Sequence, residues 1–181
     1  MGPPEGFVSD SATSELSGTI SASCLHAAER STRAEAALAA AEAQCRALGV
    51  RLTPIRRQVL ATLYGTHRPL GAYDLAEQLA PKGRRLAPIT VYRALDFLIE
   101  QHLVHRLASR NAYVACPHGH GDATPIAFLI CESCGGVDEI VSPTIAHALS
   151  ELLSTEGFHC RTTTIEITGS CAHCNDGRAV A

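Results

Sequence analysis

Tryptophan is absent from this 181-residue chain, methionine occurs once, and aromatic residues make up 4% of it. A core so short of rings must be aliphatic, and a hydrophobic content of 46% with abundant alanine and leucine supplies it. No apolar run approaches the roughly 20 residues that a membrane-spanning helix needs. No apolar signal segment opens the chain, so secretion is not expected and the eight cysteines should stay reduced in the cytoplasm. A disulfide-stapled scaffold is thereby disfavoured, and metal ligation becomes the leading use of cysteine.

Four of those cysteines form two short-spaced pairs, Cys131 with Cys134 and Cys171 with Cys174. Each pair lies in a turn-like setting rich in Gly and Ser, where two sulfurs can face one ion. Four thiolates in this spacing predict a closed, tetrahedral structural zinc site. A thioredoxin-like redox pair would need a single Cys-x-x-Cys at a helix start near a βαβ pattern, which the flanks do not resemble. The stretch between the pairs is long enough for a helix and a strand, so the ion would join two ends of a small subdomain.

Charge is distributed unevenly. Residues 1–45 carry a net −4, residues 46–115 a net +7 and residues 116–181 a net −6. A basic middle between acidic flanks suggests that the middle meets a polyanion.

Residues 1–31, rich in Ser, Gly, Pro and Thr, are expected to be a disordered extension. An Ala-rich run from about Thr32 to Leu48 predicts a helix stopped by Gly49. Thr53-Pro54 opens a second helix, with Ile55, Val59, Leu60 and Leu63 on one face and Gly65 at its end. A short third helix follows from Gly71 to about Leu79, and a fourth from Pro88 to about Gln101 with Val91, Leu95, Leu98 and Ile99 as its apolar stripe. Leu103–Leu107 and Ala112–Ala115, separated by a polar turn, predict a hairpin. This order is that of a winged helix-turn-helix over residues 32–115. Residues 116–124 form a hinge linker. Residues 125–175 predict a small α/β domain, with strands over 126–130, 136–141 and 161–168 and a helix over 143–155. Residues 176–181 are a tail. The fold class is α+β.

In a helix-turn-helix, the early exposed positions of the second helix reach base edges. Here those positions are Thr90, Tyr92 and Arg93, opposite the Val91/Leu95 stripe. Arg56, Arg57, Lys82, Arg84 and Arg85 surround the unit and would attract phosphates. Winged helices also serve as protein-binding modules, so the fold alone does not assign DNA.

A second candidate metal site uses what remains: His105 on the wing, Cys116, His118 and His120 in the linker, and Glu139 in the second domain. Imidazole, thiolate and carboxylate together are a zinc-ligand set. An ion held there would tie the two domains together. His102, His147 and His159 are expected at the surface, and Cys45 is expected to be buried in a helix.

The runs Arg51-Leu52-Thr53-Pro54-Ile55-Arg56, Ala72-Tyr73-Asp74-Leu75 and Thr90-Val91-Tyr92-Arg93-Ala94-Leu95-Asp96-Phe97-Leu98 resemble the DNA-binding domain of the ferric uptake regulator family. The two cysteine pairs match that family's structural zinc site. The resemblance covers about Ala34 to Cys174 and adds Tyr73 to the DNA-facing set. Iron-sensing members carry a His-His-x-His run before the first cysteine pair, whereas Thr124 to Ile130 holds no His here. Zinc-sensing members place a Cys soon after the wing, as Cys116 is placed. The resemblance therefore implies a homodimeric repressor of zinc-uptake genes, with zinc as corepressor and operator DNA as partner. It would hold one structural and one regulatory zinc per chain. The regulatory ligands would be His105, Cys116, Glu139 and His120, with His118 as substitute for His120. No catalytic step, small-molecule substrate or membrane partner is expected. The nearest rival is an iron- or peroxide-sensing repressor of the same family. A zinc hydrolase using Glu132 as base is a remote one, since nothing in the sequence positions that carboxylate.

Overall fold

The computed structural model describes residues 25–80, 86–116, 125–161 and 163–175. Four helices and a hairpin form the first unit: α1 (Leu25–Ala47), α2 (Pro54–Tyr64), α3 (Ala72–Gln78), α4 (Pro88–Glu100), β1 (Val104–Leu107) and β2 (Ala112–Ala115). Proline occupies the first turn of both α2 and α4, where its missing N–H costs no helical hydrogen bond. Val59, Leu60 and Leu63 of α2, Leu75 of α3 and Val91, Leu95 and Leu98 of α4 are fully buried against one another. Each such side chain contributes about 1.5–3 kcal/mol relative to exposure. That far outweighs a surface ion pair such as Arg57–Glu42, for which roughly 0–1 kcal/mol is usual.

α1 docks on this core through Leu38, Ala41 and Cys45, so Cys45 is a buried helix residue as expected. One boundary differs from the sequence reading. The helix starts at Leu25, not near Thr32, and residues 25–31, expected to be disordered, are helical. Ala, Leu, Glu and Arg recur through the upstream turns, and these favour continuing a helix already nucleated downstream.

The second unit contains β3 (Ile126–Cys131), β4 (Val137–Val141), α5 (Pro143–Thr155), β5 (Ile165–Gly169) and α6 (Ala172–Asn175). Its sheet has the order β4-β3-β5. The β3/β4 pair is antiparallel and joined by the first cysteine turn, while β5 runs parallel to β3 after the crossover that contains α5. The last strand was expected over 161–168, but Ile165–Gly169 is what pairs, because Ala127–Cys131 sets the span available to it. α5 carries an apolar stripe of Ile145, Leu149, Leu152 and Leu153, yet among the described residues α5 buries none of its side chains in the single chain.

The two units share a hydrophobic seam. Leu107 and Val114 of the wing pack with Phe128, Ile130 and Val137 of the sheet. Register places Glu139, Phe128 and Glu166 directly beside one another on β4, β3 and β5. Residues opposite in register share a face, so this row of three confronts the wing. Among the described residues, no helix is long and apolar enough to cross a membrane.

Candidate metal centres and DNA interface

The four paired cysteines converge. One sulfur each from Cys131, Cys134, Cys171 and Cys174 lies within 4.8 Å of the others, with Cys134 and Cys171 Sγ 4.0 Å apart. Tetrahedral zinc with bonds of about 2.3 Å sets its sulfurs roughly 3.8 Å apart, so the cage fits that ion. Local backbone builds it. Gly135 adopts φ +70, which suits a residue without Cβ, and its N–H donates to the Cys131 carbonyl at 2.9 Å. The N–H groups of Cys171 and Gly136 donate to Cys131 Sγ and Cys134 Sγ at 3.3 and 3.4 Å. A Cβ at Gly136 would stand 3.0 Å from His67 Cδ2, because the loop after α2 lies against this turn.

The thiols do not ionise alike. Burial opposes charge on Cys131, but backbone N–H donors from Cys134 and Cys171 bring it down to about 6. Burial pushes Cys134 well above the usual thiol range. The hydrogen bond with Cys171, then burial, lift Cys174 to about 11. Four thiolates this close require a cation, and loading one must release protons.

The second cluster joins His105 on β1, Cys116 just after β2 and Glu139 on β4, whose ligand atoms lie within 4.8 Å of one another. Cys116 Sγ is 3.6 Å from Glu139 Oε1, and His105 Nε2 is 3.5 Å from Glu139 Oε2. Bonds of about 2.0–2.3 Å around a tetrahedral zinc put ligand atoms roughly 3.3–3.8 Å apart. These distances and the mixed N, S, O donor set suit zinc. Cys116 is 1% exposed and the Glu139 side chain 4%, so the site is shielded from bulk water. The Phe128 ring lies 5.3 Å from the His105 ring and limits its movement. His118 and His120 lie outside the described residues.

Sequence reading missed Tyr64 at this site. Its hydroxyl, at the end of α2, donates to the Cys116 carbonyl at 3.0 Å and is buried. Burial, then the charges of Cys116 and Glu139, push its phenol far above its ordinary value, so it stays a donor. A tyrosine on a helix's apolar side carries no sequence signal for that role.

On α4, Arg93 and Ile89 are exposed and Thr90 and Tyr92 half-buried, opposite the buried Val91 and Leu95. Tyr73 of α3 is 69% exposed and meets Tyr92 edge-to-face, with ring centroids 6.4 Å apart. The two aromatic side chains brace each other beside Arg93. Arg56 stacks over Phe97 at 3.5 Å and donates to the Arg51 carbonyl. Arg57 donates to Glu42 at 2.6 Å. These two arginines are therefore held by contacts within the protein itself. Lys82, Arg84 and Arg85 lie outside the described residues. Of the three histidines expected at the surface, His147 and His159 are exposed and His102 is half-buried.

Residues 47–168 match the model of the ferric uptake regulator family. The zinc uptake regulation protein of Escherichia coli K12 is 38% identical over 143 residues, covering 79% of this chain and 84% of that protein. Among solved structures, a zinc uptake regulator complexed with zinc and DNA is 38% identical, with a TM-score of 0.74 over 81% of this chain and 97% of that one. The holo form of XcZur is 37% identical, with a TM-score of 0.69 over 77% of this chain and 96% of that one.

Proposed function

This chain belongs to the ferric uptake regulator family, and from that premise we propose that it is a cytoplasmic, homodimeric, zinc-dependent repressor that binds the promoters of zinc-uptake genes. It is a regulator of transcription and not an enzyme. The observation that carries the reading is the His105–Cys116–Glu139 cluster, which draws its ligands from the wing, the strand end and the opposite domain. An ion there, completed by His120 or by His118 in its place, clasps the winged helix in one orientation. The soft thiolate of Cys116 favours zinc over iron(II), which disfavours an iron or peroxide sensor.

The second zinc, on Cys131, Cys134, Cys171 and Cys174, staples residues 125–175. That domain dimerises through the apolar stripe of α5, which needs a partner, and through the outer sheet residues Leu129 and Ile167, which are exposed in the single chain. The winged helix over residues 32–115 reads DNA with Thr90, Tyr92, Arg93 and Tyr73, and Arg56 and Arg57 attract the phosphate backbone. Two-fold symmetry of the dimer implies a pseudo-palindromic operator.

Metal titration of binding to a duplex selected from a random-sequence pool tests the reading. Zinc should switch binding on with two zinc ions per chain, one removed by a mild chelator along with the DNA. Activation by iron(II) or manganese at lower free concentration than zinc would reassign the sensor to its iron or peroxide relatives. Arg93→Ala should cost about 1–3 kcal/mol on the selected duplex and little on unrelated sequences, as expected for a base contact. Equal weakening on all sequences would instead place Arg93 on phosphate.

A further inference from the structure

Zinc at the hinge, on the reading just given, favours one arrangement of the winged helix on the second domain. We propose that Glu166 is a positioning residue for that arrangement: its carboxylate latches the turn of the wing to the sheet, strengthening zinc binding at the hinge and DNA binding while touching neither ligand.

Three donors of the wing turn converge on this one side chain. The Ala108 N–H reaches Glu166 Oε1 at 2.7 Å, the Ser109 N–H reaches Oε2 at 3.2 Å, and the Ser109 hydroxyl also donates to Oε2. The partners are 57 and 58 residues apart in the chain and belong to different domains. Both amides sit in the turn, beyond the last rung of the β1/β2 ladder at Leu107–Ala112, so the hairpin itself does not occupy them. Hydrogen bonds to a charged acceptor are roughly twice as strong as neutral ones. Burial opposes the charge on Glu166, yet the Ser109 hydroxyl and the two amides hold its carboxyl below the usual range, so it is ionised at neutral pH.

The register explains why this contact bears on zinc. Glu139, Phe128 and Glu166 form one row across β4, β3 and β5. Glu139 meets His105 and Cys116 at one end of the row, and Glu166 meets Ala108 and Ser109 at the other. Phe128, between them, packs in the seam with Leu107. His105 on β1 and Ala108 just past its end are three residues apart, about 10 Å if the chain stays extended. A single clasp lets the wing pivot, whereas two attachments that far apart fix its direction. A contact made only in the zinc-favoured arrangement must raise the affinity of every ligand that selects that arrangement.

The test uses the full-length protein with its four-cysteine site loaded, and competition with a chelating indicator to measure zinc affinity at the hinge. Glu166→Ala should weaken that affinity about five- to tenfold. Ser109→Ala should weaken it less, and Glu166→Gln, which keeps an acceptor oxygen, should recover part of the loss. Binding to the selected duplex should weaken by a comparable factor, with four-cysteine zinc content and dimer size unchanged. Hinge-site affinities equal within twofold in wild type and Glu166→Ala overturn the latch. If the wild type binds no second zinc, the hinge-site reading is what fails. Hydrogen exchange at the Ala108 and Ser109 amides then decides the latch: faster exchange in Glu166→Ala upholds it, and unchanged exchange overturns it.

Discussion

Cys131→Ser should cost the protein its second domain. The Cys131 sulfur is buried, accepts the Cys171 N–H, and sits at the end of the central strand β3. A serine hydroxyl does not ionise near neutral pH and cannot replace the thiolate as a zinc ligand. The binding energy of a structural zinc is folding energy, about 10–16 kcal/mol in small zinc domains. That equals or exceeds the total stability of a typical domain, about 5–15 kcal/mol. The aliphatic content of residues 125–175 does not offset such a loss, because α5 buries none of its described side chains in the lone chain and the seam rests on five residues. The winged helix has a core of its own and should remain folded. Zinc per chain should fall from two to one or fewer, the dimer should dissociate, and strand signal should drop while most helix signal survives. A variant that kept two zinc ions and dimer size would remove Cys131 from the structural site.

Cys116→Ser should have the opposite profile: a folded dimer that no longer responds to zinc. Its sulfur is buried at the hinge, 3.6 Å from Glu139, and its backbone carbonyl is held by Tyr64. Serine keeps the volume nearly unchanged, so both cores should persist. On the proposed ligand set, the hinge would lose its softest donor, and with it most of its preference for zinc. Removing even an outer-sphere partner of a metal ligand costs about 10–100-fold in affinity, so losing the ligand itself should cost more than about a hundredfold. Zinc-dependent binding to the selected duplex should vanish at free zinc levels that saturate the wild type, while the four-cysteine zinc stays. Wild-type DNA affinity in this variant at limiting zinc would end the sensing role assigned to Cys116. Contrasting outcomes for the two cysteines would separate folding from switching within one chain.

Much of this was legible in sequence because it depends on short-range rules. Pro54 and Pro88 mark helix starts through their fixed φ and missing N–H. The paired cysteines announce a cage through spacing, and α5 occupies Pro143–Thr155 as its periodicity predicts. α1 was read short, because a Ser/Thr-rich flank looks disordered by composition even where a downstream helix extends into it.

Ligand types, element order and the outward positions of Thr90, Tyr92 and Arg93 on α4 follow from the chain's own residues, since propensity, capping and charge act over a few positions. Which of those residues meet is another matter. His105 and Glu139 are brought to 3.5 Å by the packing of a hairpin on a sheet, and Glu166 reaches the wing because β5 returns parallel to β3 in one particular register. A slip of one residue there would turn Glu166 to the other face. Register and domain packing are summed over the whole fold, so only the tertiary structure decided that Glu139, beside His105, and Glu166, beside the wing turn, share one row.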